Sequence, residues 1–365
     1  MKIAIACETQ FHLLNAINYA YNQLPDDSSI DLYVIKGNGI SSDMLKRLVK
    51  TNIFRRVIVY QYKKNDLSKK IYHVIKDKFF RVLFLKNYIN SRILNGSIEY
   101  DYDYIFASIV TRFIFGLISF NKKAKVVYYD DGLGSYIDNY DYNLYRRSSF
   151  LFKLLGRNTN YLNPTLLYVN NKNFCKKTIT KNVKEFFSFK NSSKQFWDKV
   201  AYIFELDDDS IYDQKKIVYL SMPNDFNMQD FDVIVNNILG TLYGCDCVIR
   251  PHPRDTFLFP KDLLIDKSNE MWEIVSAKHI TEQHVLIGAF STAQMTPKMI
   301  YNTEPTLIFL FKLYKEAFSK EQIDKFEELI ELLKSTYKDK DKIHIVNDLS
   351  ELREIICKLK ETYNG

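Results

Sequence analysis

The sequence has no Gly-x-x-x-x-Gly-Lys phosphate loop, no Gly-x-Gly-x-x-Gly dinucleotide fingerprint and no Gly-x-Ser-x-Gly nucleophile elbow. Their absence removes the usual signatures of P-loop nucleotide hydrolases, Rossmann dehydrogenases and α/β-hydrolases. No stretch approaches the roughly 18 apolar residues that a bilayer span requires. The opening run, Met1 to Cys7, is too short for a secretory signal. Five cysteines, Cys7, Cys175, Cys245, Cys247 and Cys357, are odd in number and irregular in spacing. They read as reduced thiols of a cytoplasmic protein rather than as a disulfide frame. Cys245-x-Cys247 near His252 is not taken as a metal site, and no metal or other cofactor is expected. Charge of one sign is also scarce: 51 basic against 44 acidic residues leave +7. That surplus suits an anionic ligand or an anionic membrane surface and falls short of a nucleic-acid-binding signature.

What is present is globular. At 365 residues, with 46% hydrophobic and 26% charged residues, the chain can bury two ordinary cores. Short apolar runs alternate with helical periodicity. The pattern predicts strands at Lys2–Cys7, Ile30–Ile35, Arg56–Tyr60, Tyr104–Ala107 and Lys125–Tyr129. Helices are expected at Gln10–Tyr21, Ser42–Lys50, Thr111–Ser119 and over the basic, aromatic stretch Leu67–Leu94. A polar region around residues 160–212 carries the passage between domains. Strands then resume at Lys216–Leu220, Cys247–Arg250, Val285–Gly288 and Thr306–Leu310, with a helix at Asp230–Leu239. A capping box, Ser319-Lys320-Glu321-Gln322, opens a helix to about Tyr337, and a last helix covers Leu349–Thr362. Two parallel-sheet α/β domains with a cleft between them follow, residues 1–205 and 206–345, with 346–365 packing back on the first.

Three segments place polar residues just after a strand, on the sheet edge where α/β proteins bind ligands. Asp130-Asp131-Gly132 puts two carboxylates side by side. Their repulsion should raise one pKa, and such a group can take a proton from a sugar hydroxyl; the plainer reading is a turn. Arg250-Pro251-His252-Pro253-Arg254 holds an imidazole between two prolines and two arginines, a composition suited to a phosphate. Gly288-Ala289-Phe290-Ser291-Thr292 offers hydroxyls and main-chain N–H groups to an anion, with Pro297 in the first helical turn; an ordinary N-cap is the rival. Together the three describe a phosphate site on the second domain and a carboxylate on the first, which is the arrangement of a nucleotide-sugar transferase.

At these residues the sequence resembles the bacterial sialyltransferases of glycosyltransferase family 52, the lipooligosaccharide sialyltransferase group, and more distantly the bacterial polysialyltransferases. The shared motifs are Cys7-Glu8-Thr9, Asp130-Asp131-Gly132, His252-Pro253 and Ser291-Thr292, in order over most of the chain. The resemblance implies a GT-B fold and inverting, metal-independent transfer from CMP-sialic acid to a galactose-terminated oligosaccharide of a bacterial surface glycan. It implies that His252 is the acid facing the CMP phosphate, beside Pro253 and Arg254. Ser291 and Thr292 would hold that phosphate and Glu273 the ribose. Thr9, His12 and Gly132 fall on the acceptor side, although His12 stands where many relatives carry glutamine. For the base, alignment points to Asp225, because relatives place an aspartate directly after the proline that is Pro223 here; Asp130 and Asp131 are rivals by analogy with the polysialyltransferases.

Two other readings stand beside this one. Another transferase of the same fold could use a different nucleotide sugar, and a silent nucleotide- or membrane-binding partner in polysaccharide assembly would share the binding motifs. Lys69–Arg92 suits a peripheral membrane helix or a core helix with solvated lysines, and Leu67–Leu94 is long enough for a homodimer contact.

Overall fold

The computed structural model describes residues 1–24, 27–61, 86, 89–94, 101–108, 111–132, 134–137, 149–175, 180, 182–206, 210–224, 228–268 and 270–364. Most of Leu67–Leu94, including the Lys69–Arg92 helix expectation, therefore lies outside the described residues, as does Asp225. The chain forms two compact units, Met1–Glu205 and Leu206–Gly365.

The first unit is a seven-stranded sheet in the order β3-β2-β1-β4-β5-β6-β7. Its strands are β1 Lys2–Cys7, β2 Ser29–Ile35, β3 Arg56–Tyr60, β4 Tyr104–Ala107, β5 Lys125–Tyr129, β6 Leu166–Val169 and β7 Val183–Glu185. Every pairing is parallel. Ile3, Ala4, Ile5 and Ala6 of β1 are buried, as expected of a central strand covered on both faces. The strand order reverses between β1 and β4, so their carboxyl ends form the switch-point crevice where such sheets bind ligands. Residues 160–212, read from sequence as the polar region that contains the passage between domains, belong to the first unit up to Glu205 and to the second from Leu206. They contain β6, β7 and the helix Lys194–Phe204, which Ser193 caps.

The second unit is a six-stranded sheet in the order β10-β9-β8-β11-β12-β13. The strands are β8 Ile217–Leu220, β9 Cys247–Arg250, β10 Leu264–Ile265, β11 Val285–Gly288, β12 Thr306–Phe309 and β13 Ile343–Ile345, again all parallel. Here the switch point lies between β8 and β11. The closing helix Leu349–Asn364 belongs to this unit: Leu352 and Ile356 are buried in its core with Val235, Ile238 and Leu239 of the helix Phe231–Leu242. The sequence expectation set residues 346–365 against the first domain; the core contacts described for this helix are with the second unit.

One buried ion pair ties this unit together. Lys298 Nζ donates to Glu304 Oε1 at 2.6 Å and to Asn302 Oδ1 at 2.7 Å, and lies 5.4 Å from the centre of the Tyr337 ring. Burial alone would push the Glu304 carboxyl up. The Lys298 bond, the Lys338 N–H and the nearby charges outweigh it and hold the carboxyl below its ordinary range. Removing one partner of a buried pair leaves an uncompensated charge. Lys298→Met should therefore cost about 3–5 kcal/mol at neutral pH, read from chemical denaturation. Because the folded pKa is depressed, the pair stabilises above the unfolded carboxylate range and its contribution fades as pH falls through the folded pKa. The variant and the parent should converge in strong acid.

Candidate functional site

On the first sheet, polar groups at the carboxyl ends of six strands gather near one histidine. β1 ends at Cys7, and Thr9 caps the helix Gln10–Asn22 by accepting the His12 N–H at 3.2 Å. Thr9 is therefore engaged as a cap. The cap turns the chain so that the His12 ring points into the switch-point crevice, edge-on to Tyr129 with centroids 5.6 Å apart. His12 Nδ1 accepts the Glu8 main-chain N–H at 3.2 Å, and Ser108 Oγ after β4 lies 3.1 Å from it. A nitrogen that accepts from a main-chain N–H carries no proton, so in the neutral ring the proton sits on Nε2. Nε2 faces Asp131 Oδ1 at 2.5 Å and donates to it.

This geometry separates two carboxylates that look alike in sequence. Asp130 is wholly interior and receives Tyr136 Oη–H, the Gly132 N–H at 2.8 Å, the Asn170 N–H at 3.1 Å and Asn170 Nδ2 at 2.9 Å. Burial pushes its pKa up against those donors, whereas repulsion by Asp131 was the cause expected from sequence. Gly132 has a φ of 93°, a left-handed value that favours glycine, so its role is the turn that wraps Asp130. Asp131 is 28% exposed against 1% for His12. Its Oδ1 is fixed by His12, and its Oδ2 receives no hydrogen bond among the described residues. Asp131 can meet a solvent-borne hydroxyl; Asp130 and His12 cannot.

Sequence reasoning overlooked a third acid, Glu8. Its Oε1 accepts Tyr60 Oη–H at 2.8 Å, from the end of β3, and Thr111 Oγ1–H at 2.7 Å, from the start of the helix Arg112–Phe120. Burial pushes this carboxyl up as well. Asn38, in the loop after β2, donates to the Glu8 carbonyl at 2.9 Å. The overlooked signal is position: Glu8, Tyr60 and Ser108 each stand at or just past the end of an apolar strand.

On the second sheet, His252 follows β9, Ser221 follows β8 and Ser291 follows β11, so all three lie on one carboxyl edge astride its switch point. The His252 N–H donates to Ser221 Oγ at 2.8 Å, and Ser221 Oγ–H donates to Asp255. The Asp255 N–H returns to the His252 carbonyl at 2.8 Å, which closes a tight loop around Pro253. His252 Nδ1 accepts the Arg254 N–H at 3.1 Å, so the proton of the neutral ring is on Nε2. Arg254 is exposed beside it. Arg250, the other arginine of this segment, is engaged within its own unit. It donates to Asp266 at 2.5 Å, to Tyr212 Oη at 3.2 Å and to the Glu270 carbonyl, and lies against Trp272.

Ser291 caps the helix Thr292–Tyr301 by accepting the Ala293 N–H at 3.1 Å. Pro297 lies in the helix interior, not in the first turn as expected. Lacking an N–H, it orphans the carbonyl four residues earlier, that of Ala293. Trp272 Nε1–H fills the gap at 2.6 Å. The proline thus frees an acceptor that pins the start of the helix Thr292–Tyr301 to Trp272, at the head of the helix Trp272–Lys278. Glu273 is its next residue, half-buried, with its carbonyl accepting Tyr301 Oη–H at 2.7 Å. Gly288 ends β11 where a Cβ would stand 3.0 Å from the Leu220 carbonyl and 3.1 Å from the Gln294 side chain, a crowded position that favours glycine.

No protein-family model matches the sequence, and neither does any curated protein sequence. Solved structures do match. The chain is similar to the glycotransferase of kitacinnamycin, with a TM-score of 0.52 and 10% identity over 98% of this chain and 90% of that one. It is also similar to Arabidopsis thaliana UGT89C1 complexed with UDP-L-rhamnose, with a TM-score of 0.50 and 11% identity over 97% and 89% of the two chains. Two parallel-sheet α/β units in succession, matched along nearly their whole length, give the chain the GT-B fold.

Proposed function

We propose that this protein is a glycosyltransferase in which Asp131 takes the proton of an acceptor hydroxyl and the His252–Ser291 edge holds the donor's phosphate. The observation that carries the reading is the His12–Asp131 pair at the first switch point. A buried imidazole there spends one nitrogen on the main chain and the other on a carboxylate whose second oxygen is open to substrate. His12 fixes the carboxylate and is a positioning residue; Asp131 is the base. As the acceptor oxygen bonds to the anomeric carbon, its proton passes to Asp131. The carbon–oxygen bond to the donor phosphate breaks, and the electron pair stays on the phosphate oxygen. His252 Nε2–H, the Ser291 and Thr292 hydroxyls and the helix N-terminus behind them stabilise that charge.

The choice of CMP-sialic acid as donor, and of a galactose-terminated glycan as acceptor, rests on the four motifs shared with family 52. A CMP sugar leaves as a single phosphate, for which an imidazole, hydroxyls and a helix terminus can replace a divalent cation. Asp131 takes the place of Asp225 as favoured base, because it is the carboxylate found on a histidine at the sheet edge. Incubation of CMP-Neu5Ac with a panel of galactosides, with NMR of the product, tests the donor and acceptor together. Thermal shift should rise with CMP and not with UDP, dTDP or GDP; a larger response to another nucleotide assigns the donor accordingly. Transfer should proceed at an unchanged rate in EDTA. Loss of activity on chelation, restored by one divalent metal, would contradict the metal-free scheme.

A further inference from the structure

The first unit carries an apolar surface that no described residue covers. In the helix Ser149–Leu154 and the residue after it, Phe150 is 72% exposed, Leu154 68% and Leu155 43%. Phe150 and Leu154 are four residues apart and share one helix face; Phe152, two residues from each, lies on the opposite face. Phe152 is buried edge-on against Phe115, with centroids 4.8 Å apart. The helix is thus apolar on both faces, and only the inner one has a partner. Phe150 and Leu154 thus form an exposed apolar pair beside the exposed Lys153, and no described residue covers them.

The surroundings of this face are cationic. The Asn158 N–H donates to the Ser119 carbonyl at 3.1 Å, and Asn158 Nδ2 donates to the Asn121 and Ala124 carbonyls at 2.7 and 2.8 Å. These bonds clamp the turn Asn121–Ala124 beside the helix end. Lys122 Nζ lies 3.8 Å from where a Gly156 Cβ would stand. Lys122, Lys123 and Lys153 are all exposed, and neither 119–125 nor 149–158 contains an acidic residue. A second copy of this chain is a poor occupant, because a two-fold contact would bring the same lysines against each other. An anionic lipid surface supplies what is missing, a phosphate layer for the lysines and an apolar layer for Phe150 and Leu154.

We infer that the face bearing Phe150, Leu154 and Leu155, with Lys122, Lys123 and Lys153 around it, docks the protein on an anionic membrane surface. The inference is independent of the transferase reading, and no described helix is long and apolar enough to cross a membrane. The test is co-sedimentation of the full chain with phosphatidylcholine vesicles, with and without phosphatidylglycerol. Binding is expected only to the mixed vesicles and should weaken as salt is raised. Two variants, F150S with L154S and K122E with K123E, should each bind at least about tenfold more weakly, since each surface lysine contributes a substantial electrostatic attraction. Both alter exposed side chains, and their far-UV spectra and melting should match the parent. Equal binding to neutral vesicles, no binding to either kind, or undiminished binding by both variants would overturn the inference. So would parent self-association that F150S with L154S abolishes, which would hand the face to a second copy.

Discussion

Asp131→Asn should lower turnover by about 10²–10⁴-fold, the range expected when a general base is removed. The substitution is nearly isosteric. His12 Nε2–H can still donate to the amide oxygen that replaces Oδ1, and the Asp131 N–H bond to Ser135 Oγ at 2.8 Å involves only the main chain. The fold should therefore persist, and the loss should fall on kcat, with donor affinity nearly unchanged, because the lost group acts on the acceptor proton. Steady-state kinetics with the donor varied at saturating acceptor separates the two effects. An Asp131→Asn enzyme with parental kcat would remove Asp131 as base and return the role to Asp225 or to a group outside the described residues.

His252→Ala should lower turnover by at least about 10²-fold with the fold intact. What anchors this loop is the His252 main chain: its N–H to Ser221, its carbonyl to the Asp255 N–H, and prolines on both sides. None of these depends on the imidazole. What the variant loses is the Nε2 proton for the departing phosphate oxygen and the Nδ1 acceptor for the Arg254 N–H, which water can replace at an exposed position. The deficit should shrink for a donor whose leaving group needs less help, such as an activated aryl sialoside, and stay full for CMP-sialic acid. A near-normal kcat on CMP-sialic acid would take His252 out of the chemistry.

The two predictions also mark how far sequence alone reaches. Most strands were legible because each is a short, mainly apolar run: Lys2–Cys7, Arg56–Tyr60, Tyr104–Ala107, Lys125–Tyr129, Cys247–Arg250 and Val285–Gly288 have the expected limits. The edge strands β7, β10 and β13, two or three residues each, carry too little pattern to register, and β6 sits in an asparagine-rich stretch that reads as loop. At the candidate site, position after a strand was enough to nominate Asp130, Asp131, His252, Ser291 and Thr292. It could not divide the Asp130–Asp131 pair, because that division comes from Tyr136, Asn170 and His12, which lie up to 119 positions away. The partners of Arg250, namely Asp266, Glu270 and Trp272, are equally invisible from its own neighbourhood. Pro297 shows the converse. A residue that should end a helix is tolerated because Trp272 supplies the missing donor, a compensation no local rule contains.

In the proposed function, the donor's phosphate meets the edge built by Ser221, His252 and Ser291. Arg254 is exposed at that edge, and Arg250 donates to Asp266. The measurement that bears on this most directly is a crystal structure of the protein soaked with CMP. The account predicts the phosphate within hydrogen-bond reach of His252 Nε2 and of Ser291 Oγ at the head of the Thr292–Tyr301 helix. A phosphate bound elsewhere, with His252 and Ser291 untouched, would contradict it.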